Sequence, residues 1–112
     1  MKRIDFPIEE LEQLKGKSRI ITTRVSREYG CYSEGEILKT SWDEEYVVSK
    51  IEKVSDIKEH PYYNELTQEQ IRFLSRYKKI KVLTLTKVKT SWQILAFLCK
   101  ILYKEGKDEI VI

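Results

Sequence analysis

Between positions 19 and 34 the chain reads RIITTRVSREYGCYSE, and here side chains suited to recognition chemistry crowd together. Arg19, Arg24 and Arg27 each carry a planar guanidinium that forks onto a phosphate or the edge of a base. Thr22 places a hydroxyl two residues before Arg24. Tyr29 and Tyr32 flank Gly30-Cys31, and aromatic rings beside arginines in a loop suit stacking on unpaired bases. Arg24 is the central candidate. Its competing role is structural, in a pair with an acid such as Glu36 or Glu52. Tyr32 has a competing role too, pinning the loop to the sheet behind it. Lys17 and Lys39 extend the basic rim, or belong to an ordinary solvated surface.

The remaining residue inventory excludes several chemistries. His60 is the sole histidine, and with Pro61, Tyr62 and Tyr63 behind it the expected role is to order a connection. One histidine and no Cys-x-x-Cys leave no metal site. Cys31 and Cys99 match no metal spacing and are expected as reduced thiols of a cytoplasmic protein. No glycine-rich phosphate loop or nucleophile elbow is present, so no cofactor is implied. The net charge of +3 is too small to argue for nucleic acid by itself; any basic patch must come from clustering.

The elements that must position these residues follow from pattern. At 112 residues, 41% hydrophobic and 35% charged, the chain is expected to be a single folded domain over 1–112. Its charged N-terminus lacks the apolar core of a signal peptide. The longest apolar run, Ile94 to Leu102, is broken by Lys100 and falls short of the roughly 20 residues that span a bilayer. Pro7 opens a helix through Lys15, with apolar residues at 8, 11 and 14, and Gly16 stops it. Ile20, Ile21, Thr22, Thr23 and Val25 are β-branched and predict a strand, and Ser26 to Glu34 a surface loop. Further strands are predicted over 36–40, 46–54 and 80–88. In the second of these, Tyr46, Val48 and Lys50 are expected on one face and Val47, Ser49 and Ile51 on the other. Thr67 with Gln70 three residues on marks a capped helix running to about Tyr77. Residues 90–112 form a C-terminal extension, a helix over Ser91 to Tyr103 and a strand over 109–112. The apolar residues of that helix cap the core or, through Trp92, Phe97 and Leu98, form a homodimer face.

Leu14-Lys15-Gly16-Lys17, Ile21-Thr22-Thr23-Arg24 and Tyr32-Ser33-Glu34-Gly35-Glu36-Ile37-Leu38, in that order, resemble the ASCH family. The likeness continues through His60 and Glu65-Leu66-Thr67 to the strand at 80–88. It implies an α+β fold, a small, partly open PUA-like β-barrel with flanking helices. It also implies one of two activities. Some members are similar to RNA-binding PUA domains. Others are small amidohydrolases that cleave acyl groups from modified cytidines with a lysine, a threonine and a glutamate. The threonine falls on Thr22, but the lysine falls on Arg19 and the glutamate on Asn64. A guanidinium stays protonated near neutral pH and cannot act as a general base. A one-residue slip would restore Glu65, and an insertion after Gly16 would make Lys17 the lysine. The expected function is therefore binding of RNA or a nucleotide-like ligand through Arg19, Thr22, Arg24, Arg27, Tyr29 and Asn64. The alternatives are an amidohydrolase using Lys17, Thr22 and Glu65, and a protein-interaction module working through the C-terminal helix.

Overall fold

The computed structural model describes residues 2–88 and 109–112, which form six strands and two short α-helices linked by 3-10 turns. The strands are β1 (Lys2–Arg3), β2 (Arg19–Val25), β3 (Ile37–Lys39), β4 (Glu45–Val54), β5 (Ile80–Lys87) and β6 (Glu109–Val111). Helix α1 (Leu11–Leu14) continues a 3-10 turn at Ile8–Glu10, and helix α2 (Gln68–Leu74) precedes β5. The predicted helix at 91–103, with Trp92, Phe97, Leu98 and Cys99, lies outside the described residues.

The fold is α+β, built on one mixed sheet in the order β1-β3-β4-β5-β2-β6. Strands β3, β4, β5 and β2 run antiparallel to their neighbours, while β1 and β6 join the edges in parallel. The two edge strands are not paired with each other, so the described strands do not close into a barrel. No element is predicted ahead of Pro7. Instead Lys2 and Arg3 pair with Leu38 and Lys39, and Ile4 and Phe6 are buried. A two-residue strand leaves no alternation to read in a sequence.

Alternation along β2 sets both faces of the sheet. Ile20 packs with Leu38, Tyr46, Val48, Leu83 and Leu85, and Thr22 and Arg24 share its parity. Ile21 packs on the other face with Ile57, Leu66, Leu74, Ile80 and Val82. All seven residues of β2 are in register with β5, from Arg19 opposite Thr86 to Val25 opposite Ile80.

Strand β4 departs from simple alternation. Its register against β5 shifts between Val48 and Lys50, leaving Ser49 as a bulge. Ile51 thereby joins Tyr46 and Val48 on one face, and Lys50 moves to the other, where it pairs with Glu52 at 2.8 Å. The expected grouping of Lys50 with Tyr46 and Val48 is corrected by that one extra residue.

Helix α2 begins as its sequence predicts. The Thr67 hydroxyl accepts from the Gln70 N–H, and the Gln70 side chain accepts from the Thr67 N–H. It ends at Leu74 rather than near Tyr77, with Leu74 buried and Phe73 half exposed.

Candidate functional site

Arg24 sits at the end of β2, and the chain reverses sharply just beyond it. Ser26 takes a positive φ of 59°, unusual for a side chain larger than glycine. The turn starts a 3-10 helix, Ser26–Gly30, which carries Glu28 back over Arg24. Arg24 is 9% exposed, and its guanidinium has three partners. Nη1 donates to Glu28 Oε2 at 2.8 Å, Nη2 to the Asp5 carbonyl at 2.9 Å, and Nε to Thr22 Oγ1 at 3.3 Å. Its carbon lies 4.8 Å from the centre of the Phe6 ring, a cation–π contact. The acid that holds it is thus Glu28, not Glu36 or Glu52, which pair with Lys2 and Lys50.

The same Glu28 oxygen accepts a hydrogen bond from the Tyr32 hydroxyl at 3.0 Å. Burial pushes the Tyr32 phenol up to about 12, and the bond to Glu28 adds to that push while Arg24 opposes it. Tyr32 is buried at 7% exposure and pins the loop, as one of its two sequence readings held. A single carboxylate therefore ties strand, turn and loop together.

Beside this knot lies a groove of about 940 Å³. Its walls carry Thr22, Arg24, Arg27 and Glu28 from β2 and the turn, Asp5 and Glu10 from the N-terminal segment, and Phe73 and Tyr77 from the end of α2. Phe73 and Tyr77 form an aromatic pair with ring centres 5.5 Å apart. Arg24 contributes whatever donors its three bonds leave over. Arg27 is exposed, and among the described residues its guanidinium enters no ion pair. Burial raises the Glu10 carboxyl above the usual range, against the pull of Arg24 and with a push from Glu9. Three acids face two arginines across the groove, so it is not a track for a bare polyanion.

The other residues expected at the site lie elsewhere. Arg19 is at the far end of β2, about 17 Å along the strand from Arg24, and pairs with Glu109 at 3.5 Å. Tyr29 does not line the groove; its ring lies 5.8 Å from the amines of Lys53 and Lys81. Asn64 and Glu65 are exposed in a 3-10 turn, Tyr63–Glu65, away from the groove lining. Lys17 is also absent from the lining, and its carbonyl accepts from the Tyr46 hydroxyl at 2.7 Å. Of Lys17, Thr22 and Glu65, only Thr22 reaches the groove, and its hydroxyl already accepts from Arg24.

His60 performs the ordering role expected of it. The Tyr62 N–H donates to Nδ1 at 3.0 Å, which leaves the proton on Nε2 and makes that nitrogen the donor to Thr23 Oγ1 at 2.7 Å. Burial lowers the His60 pKa, with Glu52 opposing weakly, so the neutral ring is favoured.

Phe73, Tyr77 and Glu28 are among the groove residues that went unread in the sequence. Phe73 and Tyr77 are four apart on a helical pattern, off the stripe of Ile71 and Leu74, which is a usable sign of an exposed aromatic pair. Glu28 is four residues beyond Arg24, but that spacing pairs side chains only in a helical turn, and the stretch resembled an irregular loop. Among the described residues no group of histidines, cysteines or acids could hold a metal ion, and no helix is long and apolar enough to cross a membrane. Compared with protein-family models, curated proteins and solved structures, the chain matches none.

Proposed function

We propose that the groove binds an unpaired base of RNA or a nucleotide-like ligand, and that the chain is an ASCH-type domain with a PUA-like fold. The observation that carries this reading is the shared groove of Arg24 and Arg27 with the Phe73–Tyr77 ring pair. The rings offer a stacking platform that tolerates any base. Arg27, with no acid partner among the described residues, meets the attached phosphate. Glu10 and Glu28 accept from exocyclic amines, which gives the acids of the groove a use that a phosphate-only site would lack. The ordered motifs at 14–17, 21–24 and 32–38 support the family reading.

The test is fluorescence anisotropy of short single-stranded RNA against the wild type, Phe73→Ala and Arg27→Ala. Both side chains are exposed, so both variants should fold. Each substitution should cost about 1–3 kcal/mol of binding. Wild-type protein that binds none of the RNAs, or variants that bind as tightly as wild type, removes the proposal.

A further inference from the structure

A second cavity, of about 460 Å³, is lined by Tyr32, Ser33, Glu34, Ile51, Lys53 and Lys81 and shares no residue with the groove. Its unusual member is Lys81, which is 4% exposed. Strand parity explains the burial: Lys81 is in line with Leu83 and Leu85 on β5, facing the core side of the sheet. The ammonium donates to the Tyr32 carbonyl at 2.7 Å, which uses one of its three N–H groups. Among the described residues no carboxylate lies within ion-pair distance of it.

A buried ammonium without a counter-charge is costly, and its neighbours make it more so. Lys53 lies directly opposite Lys81 in the β4–β5 register and lines the same cavity. Burial lowers the Lys81 pKa first, with Lys53 and Lys2 adding to the effect and Cys31 and Glu36 opposing. The one acid in the lining, Glu34, already accepts from the Ile51 N–H at 3.0 Å. Two lysines and Ser33 therefore line a space with a single acid, one of whose oxygens is held by the backbone.

We infer that this cavity is an anion site that takes a phosphate group, with Lys81 and Lys53 as its charged ligands and Ser33 as a neutral donor. The volume falls in the range of small-molecule sites and exceeds what a bare phosphate fills, which favours an esterified phosphate.

The experiment is NMR of the full chain with labelled lysine side chains, titrated with inorganic phosphate and, separately, ribose 5-phosphate at fixed ionic strength. Saturable shifts of the Lys81 and Lys53 signals are expected. Tighter binding of ribose 5-phosphate identifies an ester as the ligand class, and equal or tighter binding of inorganic phosphate identifies the free ion. Lys53→Gln, on the exposed side of the site, should weaken binding about tenfold. Lys81→Met, close in volume and uncharged, should abolish saturation; should it fail to fold, Lys53→Gln decides. Absence of saturable shifts, equal shifts with chloride alone, or unchanged affinity in the folded variants overturns the inference.

Discussion

Glu28 is the residue whose replacement reports most directly on how the site is held. Glu28→Gln keeps the shape and one acceptor oxygen but removes the charge. At an effective dielectric of about 20, unit charges 4 Å apart attract by roughly 4 kcal/mol, which sets a ceiling. The Glu28 side chain is 46% exposed while that of Arg24 is 10% exposed, so solvent screens much of this attraction. The neutral amide also retains part of the hydrogen bond at 2.8 Å. The expected loss of stability is about 1–2 kcal/mol. Urea unfolding followed by circular dichroism should show a lower midpoint at unchanged slope. The same substitution in an Arg24→Met background should cost much less, because the charge it removes has lost its partner. That difference, about 1–2 kcal/mol of coupling, is the quantity at issue. The Tyr32 hydroxyl should also titrate below its value of about 12, since one of the influences holding it up is gone. Equal costs of Glu28→Gln in the two backgrounds would refute the account of Arg24 as a cation fixed by this carboxylate.

Two further outcomes follow from single contacts. The folded state lowers the His60 pKa, so the unfolded chain binds that proton more readily. Its contribution to stability is complete above about pH 6.5 and is lost as pH falls through the folded value. Urea midpoints should therefore drop between pH 7.5 and 5.5, and His60→Gln should flatten that part of the profile. Thr67→Ala removes the hydroxyl that caps α2 and should cost about 1 kcal/mol, whereas Thr67→Ser should cost little. Both are read from urea midpoints.

Strands with clear alternation were legible before any coordinates. Ile20 and Ile21 declare the two faces of β2, and the Thr67–Gln70 pair declares the start of α2. What escaped detection depended on backbone events that leave little trace in residue types. A positive φ at Ser26 turned an apparent loop into a helical turn and gave Arg24 a different acid from those expected. The N-terminal strand is two residues long and is held by pairing with β3, which has no local signature. Arg24 and Thr22 were correctly placed together because they share strand parity. Arg19 shares neither that parity nor their end of the strand. Lys81 could have been read by extending the Leu83–Leu85 alternation one step back, which would have flagged a charged side chain on an inward face.

The extra residue in β4 has a wider effect than the swap of Lys50 and Ile51. Every position after Ser49 is turned over relative to an unbroken strand, Lys53 included. Were Ser49 paired in regular register rather than bulged, the odd-numbered side chains of the strand's second half would point to the opposite layer, and position 53 would no longer meet position 81. A one-residue irregularity in a ladder can thus recruit a surface cation to a concave site without any change of amino-acid type. Deleting Ser49 would instead remove the bulge and leave Lys50 to Val54 on their present faces, so it is the placement of the extra residue, not its side chain, that aims Lys53.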